Sequence, residues 1–289
     1  MKNQIKLQRC FRNGKSAGAA FRAAALQMKG TSKMKMKSKC LILSAIVALA
    51  GFLPQSKADV LGSADSFAVL GGSTVGNTGN TVLNGNLGVY PGLTISGFSP
   101  GIVNGATYAG GSVAQQAQAD VLTAYTALSS EASIQDLTGQ DLGGLTLGPG
   151  VRNFSAVAQL TGTLILDAQG NSNARFDFQI GSTLTTASSS SIVLTNGAQA
   201  DNVFWQVGSS ATLGADTLFY GSILADQSIT VNAGASMFGR ALAMNAAVTL
   251  DDNVITVPEP GSFWLLAFCA SVFGAWQWLA VWRRKADRS

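Results

Sequence analysis

The sequence predicts an all-β solenoid with one long α-helix, and three observations support this fold class. From residue 142 onward, short runs of Val, Ile, Leu, Phe and Thr alternate with Gly, Asn, Ser and Ala, which is typical of a β-solenoid or a β-sandwich. Similar segments recur at offsets of 27, 18 and 18 or 19 residues, each about one solenoid coil. One stretch has helical periodicity instead. Because stacked coils bury an apolar core that no single coil could bury, the repeat favours the solenoid.

The repeat becomes visible when four segments are aligned. Residues 179–185 (QIGSTLT) align with residues 206–212 (QVGSSAT), and residues 224–230 (LADQSIT) and 242–249 (LAMNAAVT) follow in the same pattern. Further strand-like pieces, punctuated by Gly, occur between residues 61 and 110. Tight coil corners need residues that tolerate positive φ, so these glycines predict corners rather than a ligand site.

The helix is predicted over residues 112–128 (SVAQQAQADVLTAYTAL). Its start resembles a capping box formed by Ser112 and Gln115. We expect the helix to pack its apolar stripe along the solenoid and to cover a flank that would otherwise be exposed. The stripe has helical spacing and consists of Val113, Ala117, Val121, Ala124 and Leu128.

Residues 1–58 are predicted to be a basic leader followed by a secretory signal peptide. A Lys-rich stretch precedes an apolar run over residues 40–53, and small residues follow at Ser56 and Ala58, so cleavage is expected after Ala58. The apolar run is too short to span a bilayer. The leader is unusually long, which leaves Met34 and Met36 as alternatives to Met1 for the start of translation.

Residues 258–289 are predicted to be a sorting signal with a transmembrane helix over residues 263–282. These twenty residues carry no charge, and at about 1.5 Å per residue they span a hydrocarbon core of about 30 Å. The basic cluster after them is expected to stay inside the cell, so the central domain faces outward. With Pro258, Glu259 and Pro260 before the helix, the tail resembles the PEP-CTERM sorting signal of Gram-negative bacteria. That resemblance implies a membrane sorting protease and delivery to the cell surface or the extracellular matrix; an ordinary membrane anchor is the alternative.

The central segment, residues 59–257, is acidic, although the whole chain has a formal charge of +4. It carries 13 acidic residues and three Arg, with no Lys, so its formal charge is 3 − 13 = −10. This charge argues against nucleic-acid binding, which needs clustered basic residues. The segment also lacks His and Cys, and therefore cannot form a Ser-His-Asp or Cys-His nucleophile or a zinc site. It has no calcium-loop or nucleotide-loop motif, so we expect no metal, no cofactor and no enzyme activity.

A ladder of small hydroxyl residues is the main candidate surface. Side chains alternate along a strand, so residues that flank an inward apolar side chain point outward. In a parallel solenoid the rungs repeat every ~4.8 Å, and side chains at i and i+2 lie about 6.6 Å apart. Thr has a stiff χ1 and a paired methyl and hydroxyl, so an uncharged ladder can hold ordered water; a merely solvated polar face is the alternative. Gln159 and Ala247 interrupt the ladder, which consists of Thr161, Thr183, Thr185, Ser210, Thr212, Ser228, Thr230 and Thr249.

Several motifs in residues 59–257 resemble the microbial ice-binding β-solenoid family. They include residues 67–75 (FAVLGGSTV), residues 84–89 (NGNLGV) and residues 204–214 (FWQVGSSATLG). The resemblance implies a right-handed, discontinuous parallel β-helix of triangular cross-section with a helix packed beside it. It also implies adsorption to an ice crystal surface through one flat face, giving antifreeze activity or inhibition of recrystallisation. The ice face of that family is not a fixed motif, so the assignment of the hydroxyl ladder rests on the stacking of the coils.

Two other functions compete with ice binding. A structural or adhesive protein of the extracellular polysaccharide matrix would use the same solenoid to bind exopolysaccharide, and the sorting-like tail favours this alternative. A polysaccharide lyase would need a base and positive charge near the substrate carboxylate. Residues 59–257 have no Lys or His and only three Arg, which argues against a lyase.

Overall fold

The computed structural model describes residues 60–258, which form a parallel β-solenoid with one α-helix along its side. All pairings between its strands are parallel. Two short 3₁₀ helices cover Gly62–Ser66 and Ala200–Asn202, and helix α1 covers Gly111–Ser130. The strands of the described region are β1 (Phe67–Gly71), β2 (Thr74–Thr78), β3 (Val82–Asn84), β4 (Asn86–Val89), β5 (Thr94–Ser96), β6 (Ile102–Val103), β7 (Thr107–Ala109), β8 (Gln135–Asp136), β9 (Thr146–Leu147), β10 (Gly150–Phe154), β11 (Ala158–Leu160), β12 (Thr163–Asp167), β13 (Phe176–Ile180), β14 (Leu184–Thr186), β15 (Ser191–Thr195), β16 (Val203–Val207), β17 (Ala211–Leu213), β18 (Leu218–Ala225), β19 (Ile229–Val231), β20 (Ser236–Ala243), β21 (Val248–Asp251) and β22 (Val254–Thr256).

The strands are collected into two sheets that enclose three sides of the solenoid. A seven-stranded sheet has the order β11-β14-β17-β19-β21-β2-β5. A fifteen-stranded sheet covers the other two sides, because the long strands β18 and β20 run through a corner between them. Gly221 and Gly239 lie in register at this corner with positive φ, and a Cβ on Gly239 would lie 1.9 Å from the Gly221 carbonyl oxygen. Only glycine fits this turn of the chain.

The register confirms the sequence repeat. Gln179 pairs with Gln206, Gln206 with Leu224, and Leu224 with Leu242, which reproduces the predicted offsets. The interior between the sheets is filled by aromatic and aliphatic side chains. Trp205 stacks on Phe178 with ring centroids 3.9 Å apart, and its indole nitrogen donates to the Tyr220 carbonyl at 3.1 Å.

The coils do not stack in the order in which the chain makes them. The N-terminal strands β1, β2 and β3 pair with β20, β21 and β22, the last strands of the domain. Val75 thus lies beside Val248, and Val69 beside Ala241. The stack is therefore discontinuous in chain order, as the family resemblance implies. The right-handed winding of the coils remains a prediction.

Helix α1 packs along the side formed by β13, β16, β18, β20 and β1, which confirms its predicted role. It begins one residue earlier and ends two residues later than predicted. Two details of the prediction are wrong. No side-chain hydrogen bond caps the helix, because Gly110 is the N-cap residue, so the capping box of Ser112 and Gln115 does not form. Val113 is 46% exposed. The buried residues of the helix are Ala114, Ala117, Val121, Ala124 and Leu128.

The predicted leader and signal peptide, Glu259, Pro260 and the segment 263–282 lie outside the described residues. Within residues 60–258, no helix is long and apolar enough to cross a membrane.

Candidate functional site

The outward side chains of the seven-stranded sheet form a straight column of threonines. Thr185 pairs with Thr212, Thr212 with Thr230, and Thr230 with Thr249. Because paired parallel strands lie about 4.8 Å apart, these four side chains repeat at that interval along the solenoid. We call the outward surface of this sheet the threonine face.

The inward side chains of the same strands fix the orientation of the threonines. Ala211 and Leu213, on either side of Thr212, are buried, and the other central strands have the same alternation. Thr185 and Thr249 are exposed, whereas Thr212 is half-buried between its neighbours. A one-residue slip would bury the hydroxyls and expose the core, so the register is strongly specified.

A second column is formed by the residues that immediately precede these four strands, two residues before each threonine: Thr183, Ser210, Ser228 and Ala247. It stands about 6.6 Å from the first column along the strand direction. The Ser210 and Ser228 hydroxyl oxygens are 2.9 Å apart, so they form a hydrogen bond between coils. The Ser228 backbone N–H also donates to the Ser210 hydroxyl oxygen at 3.3 Å. Ala247 leaves a methyl group where the column would otherwise have a hydroxyl.

The structure extends the threonine face into the N-terminal coils, which sequence reasoning missed. Gly76 pairs with Thr249 and with Ser96, and Thr74 pairs with Thr94. The segments STVG and LTIS have the same alternation of small polar and apolar residues as the later strands. That alternation is a signal, but only the long-range pairing of β2 with β21 shows that these residues continue the same columns.

Thr161 does not join the two columns. Strand β11 pairs Gln159 with Thr185, so the residue opposite Thr183 is Val157 rather than Thr161. Thr161 follows the end of β11, and its backbone N–H donates to Asp141 Oδ1 at 2.9 Å. It therefore lies at the corner at one end of the stack, while the other seven predicted residues share the face.

Carboxylates lie at the margins of the threonine face. Asp251 ends strand β21, and Asp226 lies at the corner before β19, where its carboxylate accepts a hydrogen bond from Asn245 Nδ2 at 3.0 Å. At the far end, burial pushes the pKa of Asp141 upward, but the backbone N–H groups of Gly143 and Thr161 outweigh it and leave the pKa below its ordinary value. The two columns over β14, β17, β19 and β21 therefore carry no charge.

The arginines of the described region are engaged away from this face. Arg240 is 1% exposed and contacts Asp65 and Asp201 at 2.8 and 3.1 Å. Arg175 pairs with Asp177 and Glu131 beside the helix. Arg152 is buried, and one guanidinium nitrogen donates to the Gly150 carbonyl. No group of three or more metal-ligating side chains occurs in residues 60–258. The face thus offers regular small hydroxyls and methyls, and none of the three arginines of the described region lies on it.

A family model described as ice-binding-like matches residues 69–256 of this chain. The ice-binding protein of Nostoc sp. (strain HG1) is 54% identical over 245 residues, which cover 79% of this chain and 91% of that protein.

Solved structures agree with the family match. The crystal structure of an ice-binding protein from the Antarctic ascomycete Antarctomyces psychrotrophicus is 42% identical, with a TM-score of 0.68, over 69% of this chain and 98% of that one. An ice-binding protein from an Antarctic biological consortium is 43% identical, with a TM-score of 0.67, over 68% of this chain and 89% of that one. The chain therefore belongs to the ice-binding-like family.

Proposed function

We propose that this protein adsorbs to ice through the threonine face and so inhibits ice growth and recrystallisation. The observation that supports this function most directly is the in-register column of Thr185, Thr212, Thr230 and Thr249, with no charged side chain in this column or the one beside it. The ice-binding names of the Nostoc relative and of the two crystal structures point the same way.

The physical basis is a rigid grid of short side chains. Rungs of about 4.8 Å and columns about 6.6 Å apart place methyl and hydroxyl groups at regular positions over the sheet. Threonine keeps its χ1 fixed, so little side-chain entropy is lost when water orders against it. Charged groups would hold their own hydration shells and would be costly to desolvate, and the columns have none.

The direct test is to break the column at its centre. Thr212→Lys places a long charged side chain between Thr185 and Thr230, and we expect it to remove most of the thermal hysteresis and the shaping of a single ice crystal. Thr126→Lys is the matched control, because Thr126 is exposed on helix α1, away from the threonine face. Unchanged ice shaping by a folded Thr212→Lys variant would exclude this face.

Export and sorting belong to the same proposal. Cleavage after Ala58, followed by recognition of Pro258, Glu259 and Pro260 by a sorting protease, would release the domain to the cell surface or the medium. The sequence patterns at the two ends support these steps. Intact mass measurement of protein recovered from the cell surface tests them, because a retained segment 263–282 would mean that the chain is anchored instead.

Exopolysaccharide remains a proposed second partner. The threonine face is poorly suited to it, because the two columns contain no aromatic ring on which a sugar could stack. A polysaccharide partner would therefore need a different surface. The proposed functions involve binding alone and no catalytic step.

A further inference from the structure

A second side of the solenoid is not covered by helix α1. It carries two aromatic side chains followed by a row of smaller polar side chains. Tyr220 pairs with Phe238, Phe238 with Thr256, and Thr256 with Asn84. Asn104 Nδ2 continues the row by donating to Asn84 Oδ1 at 2.9 Å. We call the surface made by these five residues the aromatic face.

The two rings leave a step in this surface. Tyr220 and Phe238 stack with centroids 5.2 Å apart and an interplanar angle of 13°. Phe238 is 39% exposed, and the next residue in its column is the much smaller Thr256. Tyr220 covers one side of the Phe238 ring. The other side of the ring faces Thr256 and projects beyond this shorter side chain.

A groove of about 820 Å³ is lined by Thr256, Asn84 and Asn104, the residues that follow Phe238 in this row, while the two rings lie outside it. Its polar groups are already oriented by hydrogen bonds: Asn84 Nδ2 donates to Thr256 Oγ1 at 3.0 Å, and Asn104 remains exposed. The groove is lined by small polar side chains, by glycine backbone and by the apolar residues Val257 and Pro258, and its size falls in the range of small-ligand sites. The side chains that form its walls include Asn84, Asn104, Thr256, Ser63, Asp65 and Ser66.

An aromatic ring next to amides and hydroxyls suits a sugar. The apolar face of a pyranose ring packs on an aromatic ring, while its hydroxyls need donors and acceptors such as asparagine amides supply. The charge of the domain restricts which sugar can bind. Residues 59–257 have a formal charge of −10, and the three arginines are buried or ion-paired, so an anionic sugar would meet repulsion and no cation.

We propose that the aromatic face binds a neutral hexopyranose chain, with one sugar stacked on Phe238 and the next in the groove beside Asn84 and Asn104. This inference does not depend on ice adsorption, because it uses a different side of the solenoid. It gives the polysaccharide partner a specific surface and a specific chemistry.

The test uses residues 59–258. Residues 60–258 enclose one hydrophobic core, and the crystallised ascomycete relative consists almost wholly of the matching region, so we expect the segment to fold on its own. Titration calorimetry with cellohexaose and maltohexaose should show binding to at least one of them at millimolar concentrations or below, and hexagalacturonate should not bind. Phe238→Thr, which repeats the neighbouring Thr256, should weaken the affinity at least tenfold.

Asn104→Ala is the second variant, because it removes an exposed amide without touching the core, and it should weaken binding severalfold. Thr212→Lys is the matched control on the threonine face; it should keep its sugar affinity while losing ice shaping. The proposal is overturned if neither neutral hexaose binds, if hexagalacturonate binds equally well, or if both variants retain full affinity. A dimer of the domain that Phe238→Thr dissociates would also overturn it, since a second copy would then be the occupant.

Discussion

The threonine face and the aromatic face are two sides of the same stack of coils, and they differ mainly in side-chain size. Both have parallel strands at the same spacing and uncharged side chains in the columns described above. On the threonine face, neighbouring coils repeat one short side chain, so the surface stays level. On the aromatic face, Phe238 is followed by Thr256, so the surface has a step. The solenoid therefore supplies the spacing, and side-chain size makes one surface level, as the proposed ice contact requires, and the other stepped, as the proposed sugar contact requires.

The third side is covered by helix α1. The helix buries a stripe of small residues against Phe204, Leu224 and Leu242, which would otherwise be exposed apolar side chains. It is also anchored by polar contacts: Gln179 Nε2 donates to the Leu128 and Glu131 carbonyls, both at 2.7 Å. Covering one side leaves two sides of the solenoid available for binding.

Exchanging side chains between the two free faces should have the largest effect. Thr212→Phe puts a ring into the level column, and we expect it to abolish nearly all thermal hysteresis, because the ring holds the remaining threonines away from the ice. Phe238→Thr should leave thermal hysteresis unchanged. Thermal hysteresis of both variants and of the unaltered domain, at matched concentrations, gives the comparison.

Thermal unfolding of the two variants is the control, and we expect both melting temperatures to stay within a few degrees of the unaltered domain. Both substitutions lie at positions that are at least partly exposed, where changes in stability are usually small. Equal loss of ice activity in the two variants would show that the level surface of the threonine face is not what ice selects.

The sequence repeat was enough to predict the register of the central coils. Because β14, β17, β19 and β21 are successive in the stack, aligning their segments placed Thr185, Thr212, Thr230 and Thr249 in one column without a structure. The family resemblance supplied the discontinuous architecture, which local patterns alone do not reveal.

The repeat failed where neighbouring coils are distant in the chain. Pairing of β2 with β21 is a tertiary contact that no local pattern encodes, so Thr74 and Gly76 were missed. Thr161 was misplaced because β11 pairs Gln159, rather than Thr161, with Thr185. The predicted capping box was wrong because Gly110, which has positive φ, is the N-cap residue of the helix. A serine two residues later cannot cap the helix.

Gly76 tests how far the threonine face extends. Its φ is not in the left-handed region, and a Cβ there would meet only Ser96 Oγ at 3.8 Å, so a side chain fits. We expect Gly76→Tyr to halve the thermal hysteresis, because it blocks the N-terminal part of the face beside Thr249 and leaves Thr185, Thr212 and Thr230 free. Gly76→Thr completes the column and should raise the activity by less than twofold.

The matched control for Gly76→Tyr is Thr126→Tyr, which puts the same ring at an exposed position of helix α1, away from the threonine face. Ice activity that is unaffected by Gly76→Tyr would confine the binding surface to the strands after residue 180. It would also remove β2 and β5 from the proposed site.

The smallest predicted effect concerns the covered side, which should influence stability and leave ice binding unchanged. Burial raises the pKa of Asp177 from 3.8 to about 6, and the Arg175 guanidinium opposes this shift without cancelling it. Since the folded state binds the proton more tightly, the contribution of Asp177 to the free energy of unfolding is greatest below about pH 4. This contribution falls by roughly 2–3 kcal/mol at most as the pH rises from about 4 to about 6. Above that pH it is constant.

Asp177→Asn removes this titration. The melting temperature of the variant relative to the unaltered domain should therefore rise by several degrees between pH 4 and pH 7.5. Asp136→Asn is the control of opposite sign, because hydrogen bonds from the Thr138 side chain and backbone lower the pKa of Asp136, an exposed residue. Ice shaping at both pH values should be the same for all three proteins, because the helix side does not meet the ice. A pH-independent difference between Asp177→Asn and the unaltered domain would show that Asp177 stays ionised over this range, with Arg175 outweighing burial.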